Sequence, residues 1–102
     1  MADWLYILRP LREGMLSDGP TDTESAVLLA HLEHMQRIME DGSLVLAGRT
    51  QYADMRTMGI VIIRAQDEEA ARALMESDPP VAAGVMSAEL HPYAVAFMGS
   101  GS

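Results

Sequence analysis

The chain has 102 residues, a formal net charge of −8 and no cysteine. Its hydrophobic content of 49% and charged content of 22% are ordinary for one folded soluble domain. The acidic balance argues against binding to nucleic acid or to anionic membranes, because no basic patch is available to neutralise phosphates. The absence of cysteine excludes disulfides, thiolate metal sites and cysteine nucleophiles. With no signal-peptide pattern and no apolar run long enough to span a bilayer, the sequence predicts a cytoplasmic protein.

The first part of the chain predicts a strand, a loop and a helix. Residues 4–9 are apolar and rich in aromatic and branched side chains, which favours a strand, whereas the glycine and aspartate of 14–20 indicate a loop. Thr21 and Glu24 have the spacing of a capping box, so a helix is predicted to begin there and to end at Gly42. Its apolar stripe recurs at helical spacing through Leu28, His31, Leu32, Met35, Ile38 and Met39.

Three further strands are predicted from apolar and branched runs, at 44–48, 59–64 and 87–97. A loop of mixed polarity joins the first two of these strands, and Pro92 is predicted to break or bend the last.

A second helix is predicted between the third and fourth strands. Asp67 is a suitable N-cap for it. Pro79 disfavours helical angles at the preceding residue, so this helix is predicted to end near Ser77. Residues 81–84 are predicted to form one further helical turn.

The order of elements, β-α-β-β-α-β, predicts an α+β fold of the ferredoxin-like sandwich type. Two helices cover one face of a four-stranded sheet, yet the first and third strands are apolar at nearly every position instead of alternating. We therefore expect a second copy of the chain to cover the other face, which makes the protein a homodimer. Residues 1–98 are predicted to form one domain, and 99–102 a flexible glycine-serine tail.

A histidine and a carboxylate are the candidate catalytic pair. His31 lies on the inward stripe of the first helix, and Asp78 lies where the second helix must stop. A histidine and a carboxylate on separate elements are what a proton-transfer dyad needs. Two alternatives stay open: His31 as a core histidine with one backbone hydrogen bond, and Asp78 as a turn residue that caps local amides.

Two arginines are candidates for binding an anionic substrate group. Arg9 ends the first strand, and Arg49 follows Gly48 at the end of the second. The alternative for each arginine is a solvated side chain, or one paired with an acid of this acidic chain. Spacing also allows His31 and His34 to share a metal with Glu24. No recognised metal motif is present, however, so neither a metal nor another cofactor is predicted.

The chain resembles the YCII-related family, part of the dimeric α+β barrel group, over about residues 4–97. The resemblance rests on Ala30-His31-Leu32, the interval from His31 through Gly42 to Ala47-Gly48, Asp78-Pro79 with the following Val81-Ala82-Ala83-Gly84-Val85, and the ending Glu89-Leu90-His91-Pro92-Tyr93. It implies a dimeric barrel with a catalytic His31–Asp78 pair in a cleft. One branch of that family removes chloride from a chlorinated hydroxyquinone-type substrate.

The sequence and the resemblance together predict a cofactor-independent lyase, isomerase or dehalogenase that acts on a small molecule. Here His31 moves a proton, Asp78 orients the ring, and Arg9, Gly48 and Arg49 bind substrate. The alternative is a non-catalytic metabolite-binding or regulatory dimer that uses the same cleft. A third possibility is a dimerisation domain without a ligand.

Overall fold

The computed structural model describes residues 1–99, and residues 100–102 of the predicted tail lie outside the described part. Its elements follow in the order β1 Ala2–Pro10, α1 Gly14–Ser17, α2 Asp22–Glu40, β2 Leu44–Arg49, β3 Gly59–Ala65, α3 Glu68–Glu76, α4 Pro79–Ala82 and β4 Met86–Tyr93. None of the helices within residues 1–99 is long and apolar enough to cross a membrane.

The four strands form one antiparallel sheet in the order β2-β3-β1-β4. β1 and β3 are therefore the central strands, and β2 and β4 are the edges. The pairing of β2 with β3 is irregular between Leu44 and Leu46, where a bulge shifts the register. This topology is that of the split βαβ unit, and it confirms the predicted ferredoxin-like α+β fold.

The structure differs from the prediction at three places. Residues 14–17 form the short helix α1 inside the predicted loop. The last strand ends at Tyr93, so the prediction of strand for 94–97 is wrong. Pro92 does not break this strand, because it pairs opposite Trp4 within β4. β4 is an edge strand with one bonded neighbour, and such a strand tolerates the missing N–H of proline.

Local sequence signals fix where the two longer helices begin. The Thr21 side chain accepts from the amide of Glu24 at 3.1 Å, and the Glu24 carboxylate accepts from the amide of Thr21 at 2.9 Å. The capping box is thus complete. At the start of α3 the Asp67 carboxylate accepts from the amide of Ala70 at 2.8 Å.

The core lies between the helices and one face of the sheet. Alternate residues of the central strands point toward the helices, and residues three or four apart on α2 and α3 meet them. The buried members are Tyr6, Leu8, Val61, Ile63 and Ala65 from the sheet, and Met35, Ile38, Ala71 and Met75 from the helices.

The opposite face of the sheet, here called the open face, is apolar in its centre. Because side chains alternate along a strand, the intervening residues of the central strands point to this side. Its central residues are Leu5 and Ile7 of β1, Leu46 of β2, and Ile60 and Ile62 of β3.

Candidate active site

The structure brings His31 and Asp78 into direct contact. His31 lies in the middle of α2, and Asp78 lies in the junction between α3 and α4. The Nδ1 atom of His31 is 2.6 Å from Oδ1 of Asp78. The carboxylate is fully buried, whereas 19% of the imidazole side chain is exposed. A buried carboxylate beside a partly exposed imidazole is the arrangement of an orienting group and a base.

The backbone around Asp78 explains why its side chain is free for this contact. Pro79 holds the preceding residue in an extended conformation, with φ −65° and ψ 123° at Asp78. The Asp78 amide donates to the carbonyl of Met75, and the Asp78 carbonyl accepts from the amides of Val81 and Ala82. The carboxylate itself makes no capping hydrogen bond to α4. The local turn is therefore held by the main chain, and the side chain reaches α2 instead.

Tyr6, which the sequence analysis did not select, completes the arrangement. Its hydroxyl donates to Oδ2 of Asp78 at 2.7 Å, and its side chain is fully buried at the centre of β1. Burial, followed by the charge of Asp78 and the hydrogen bond to it, raises the pKa of Tyr6 far above its ordinary value. The phenol therefore stays protonated and acts as a donor. A tyrosine at an inward strand position is the available sequence signal, because a buried hydroxyl needs a partner.

The hydrogen-bond partners determine the state of the His31 ring. A carboxylate has only acceptor oxygens, so the proton shared with Asp78 is carried by Nδ1 of His31. In the neutral ring Nε2 then has a free lone pair and is the atom able to accept a proton.

His31 lines a cavity of about 840 Å³ between α2 and the sheet, open on one side to solvent. Most of its lining is apolar, including Leu8, Met15, Leu28, Leu32, Met35 and Val61. Of the residues that line it, Arg49 is the only lysine or arginine, and no aspartate or glutamate is among them. In a chain of net charge −8, this cavity is therefore locally suited to an anion.

The predicted substrate-binding residues fall in two places. Gly48 and Arg49 line the cavity, and their role in binding substrate stays a prediction. Arg9 does not line it: its neighbours Leu8 and Pro10 do, so alternation turns Arg9 toward the open face of the sheet. The positive charge of Arg9 there contributes to lowering the pKa of Glu89, after the larger effect of the His91 hydrogen bond. The structure thus separates Arg9 from the dyad.

The residues considered for a metal are not assembled into one site. Glu24 is bound by Arg12, with 2.6 Å between the Arg12 Nη2 and the Glu24 Oε1. His34 is buried, and Nε2 of its ring has no hydrogen-bond partner within residues 1–99. In that part of the chain no group of three or more histidine, cysteine, aspartate or glutamate side chains is placed to hold a metal.

The buried ring of His34 has a consequence for stability. Burial is the largest influence and lowers the pKa of His34; Arg37 and His31 also lower it, while Asp78 and Asp41 act in the opposite sense. The folded protein therefore binds a proton at this ring less readily than the unfolded chain. Where the unfolded state binds more protons, the free energy of unfolding rises with pH. The His34 contribution is complete above the unfolded pKa near 6.5 and is lost as pH falls below it.

We expect His34→Leu to remove this part of the pH dependence. The urea concentration at the unfolding midpoint of the wild type should decrease as the pH is lowered from 7 to 5. The midpoint of the variant should decrease less over the same range. At pH 5 the variant should be the more stable protein by roughly 1 kcal/mol, since it also removes a buried nitrogen without a partner. Gln36→Leu, which introduces the same residue at an exposed, uncharged position of α2, is the control and should keep the wild-type slope. Equal slopes for His34→Leu and the wild type would contradict the assignment.

The chain is similar to an enzyme of known structure. A search of curated protein sequences finds no significant match. Among solved structures, the chain is similar to the 5-chloro-2-hydroxyhydroquinone dehydrochlorinase of Burkholderia phenoliruptrix AC1100, in complex with 2,5-dihydroxybenzoquinone. The TM-score is 0.63 and the identity 20%, over 88% of this chain and 92% of that one. This likeness establishes a shared fold.

The family assignment rests on sequence over most of the chain. The model of the YCII-related domain matches residues 5–92, a range that holds every strand from β1 to β4 almost entirely, together with His31 and Asp78. The chain therefore belongs to the YCII-related family.

Proposed function

We propose that the protein is an enzyme that transfers a proton on a small organic anion bound in the cavity. The observation that carries the proposal is the 2.6 Å contact between Nδ1 of His31 and the fully buried carboxylate of Asp78, beside an open apolar cavity. A core histidine would need only one local partner and no cavity. A ring held at one nitrogen, with the other nitrogen free, is suited to act as a general base.

The proposed step uses three groups of the chain. Nε2 of His31 accepts a proton from an acidic O–H or C–H of the substrate. The electron pair released forms a new π bond and expels a leaving group, or moves to a neighbouring carbonyl oxygen. Asp78 stabilises the imidazolium that forms, and Arg49 attracts the anionic oxygen of the substrate at the cavity. The imidazolium then gives the proton back to another atom of the substrate in an isomerisation, or releases it to solvent when a leaving group has departed.

Loss of hydrogen chloride from a chlorinated hydroxyquinone-type compound is the specific reaction that we favour. It fits the scheme from the keto tautomer of the substrate, in which the carbon that bears chlorine also bears hydrogen. The base takes a hydroxyl proton, the electron pair shifts through the ring to form a new π bond at that carbon, and chloride departs with the electron pair of the C–Cl bond. Three observations support it: the family, the shared fold with a dehydrochlorinase, and a cavity whose lining is apolar with one arginine. An aromatic ring with an ionised hydroxyl matches both the apolar lining and the positive charge.

The test uses 5-chloro-2-hydroxyhydroquinone as substrate and 2,5-dihydroxybenzoquinone as a binding probe. We expect chloride release by the wild type, and a loss of at least about a hundredfold in kcat for His31→Gln, the usual size of a general-base contribution. Glu33→Gln, at an exposed position of the same helix, is the control and should keep the wild-type rate. Binding of the probe without chloride release would favour the non-catalytic, metabolite-binding alternative. Neither binding nor release would overturn this choice of substrate class.

We also propose that two copies of the chain pack together through the open face. Its central residues are aliphatic, and none of them belongs to the core cluster between the sheet and the helices. Leu46 is exposed, Leu5, Ile7 and Ile60 are half-buried, and Ile62 is buried among its neighbours. An apolar surface of this kind marks association sites in soluble proteins. A twofold axis through this face would bury the same residues from both copies.

A further inference from the structure

We propose that Tyr6 is a positioning residue for the dyad: its phenol holds the second oxygen of Asp78 so that the first stays aligned with Nδ1 of His31. The inference rests on the proposed function in one respect, namely that the His31 ring acts as a base. It adds a third group, from a third element, to a pair that the sequence suggested.

Each carboxylate oxygen of Asp78 has its own hydrogen-bond partner. The residue is fully buried, so solvent does not reach it. Oδ1 meets His31, Oδ2 accepts from Tyr6 at 2.7 Å, and neither oxygen caps α4. Each oxygen therefore has one side-chain partner within residues 1–99. A buried acceptor that loses its only donor carries a desolvation cost, which favours rotation of the carboxylate toward another donor.

The hydroxyl of Tyr6 is a rigidly held donor. Tyr6 lies in the middle of β1, paired with Val61 on one side and with Leu90 on the other. Its ring is part of the core cluster between sheet and helices. The hydroxyl therefore has a fixed position against which the carboxylate is oriented. Asp78 itself lies between two short stretches of helix, and its side chain is oriented by the two partners that it meets.

The hydrogen bonds from Tyr6 and His31 affect each other, because they meet at one carboxylate. A donor at Oδ2 withdraws negative charge from the group and thereby adjusts how strongly Oδ1 accepts from the ring. Tyr6 thus affects both where Asp78 points and how firmly it holds the proton on Nδ1. A purely structural tyrosine would affect stability alone.

Nitrogen NMR of the histidine rings separates these roles. In the wild type with a neutral ring we expect the Nδ1–H tautomer of His31 to dominate. In Tyr6→Phe, which keeps the ring and loses only the hydroxyl, the Nε2–H tautomer should become populated. With the chlorinated substrate, kcat should fall about tenfold while KM changes little, as expected for loss of one hydrogen bond that orients the base. Tyr93→Phe, at a half-exposed tyrosine of β4, is the matched control and should leave both readouts unchanged.

Unchanged tautomer populations and unchanged kcat in a folded Tyr6→Phe would overturn the inference. Should that variant fail to fold, 3,5-difluorotyrosine at position 6 keeps the hydrogen bond and makes the phenol a stronger donor. The Hδ1 resonance of His31 should then move upfield, because Oδ1 accepts less strongly; an unmoved resonance would also overturn the inference. If the wild type releases no chloride, the proposed reaction fails, but the NMR measurements still decide the role of Tyr6.

Discussion

Asp78→Ala should destabilise the folded protein by about 3 kcal/mol or more, one of the two largest effects that we expect from single changes in this chain. The substitution leaves the Tyr6 hydroxyl buried without a partner, frees Nδ1 of His31, and opens a small void in a fully buried position. Breaking a buried polar network in this way typically costs several kcal/mol. Urea denaturation followed by circular dichroism measures the change.

Asp78→Asn is the matched variant, since the amide keeps the shape of the carboxylate. Its oxygen still accepts from Tyr6, and we expect a smaller loss of about 1 kcal/mol. Its NH2 group, however, donates to His31, which forces Nδ1 to be an acceptor and places the ring proton on Nε2. The variant should therefore fold and yet lose the base. A stable Asp78→Ala, or full activity in Asp78→Asn, would contradict the role assigned to this carboxylate.

Ile7→Arg should convert a dimer into a folded monomer. Ile7 lies at the centre of the open face, opposite Ile60 of β3 and Glu89 of β4. In a twofold interface each substitution occurs in both copies. Two guanidinium groups would therefore be brought into the same apolar contact. An interface that buries on the order of 1,200–2,000 Å² does not tolerate two such charges. Sedimentation at micromolar concentration should show a dimer for the wild type and a monomer for the variant.

Met39→Arg is the control for this experiment. Met39 is exposed near the end of α2, on the helical side of the sheet, so a charge there should leave the dimer intact. A monomeric wild type, or a dimer that persists in Ile7→Arg, would show that the open face is not the contact.

The fold could be predicted from the sequence because its signals are local. The capping box at Thr21, the N-cap at Asp67 and the stop imposed by Pro79 act over three or four residues, and each appears in the structure. The order of elements then leaves few topologies. The contact between His31 and Asp78 is harder to predict from the sequence, since 47 residues separate the two. Its prediction depended on the family resemblance.

The positions of Tyr6 and Arg9 relative to the site depend on the directions in which their side chains point. The hydrophobic periodicity of the sequence defines those directions poorly. Tyr6 is 72 residues from its acceptor, and nothing in its neighbourhood along the chain indicates that partner. Arg9 was selected because it ends a strand, but a shift of one residue along a strand exchanges the faces of the sheet. Helix α1 consists of four residues, too few to show helical periodicity.

The two edges of the sheet bear on how copies of this chain can meet. An exposed strand edge offers unpaired amides and carbonyls to any other strand, which is a route to open-ended fibres. Here one edge carries the bulge between Leu44 and Leu46, and the other carries Pro92. The bulge and the proline each interrupt the regular row of backbone amides and carbonyls that another strand would need for pairing. Addition of further strands is thereby discouraged at both edges of the sheet, whereas the contact that we propose through the open face would close after two copies. If it forms, the assembly has a fixed number of subunits and no free edge from which a fibre could grow.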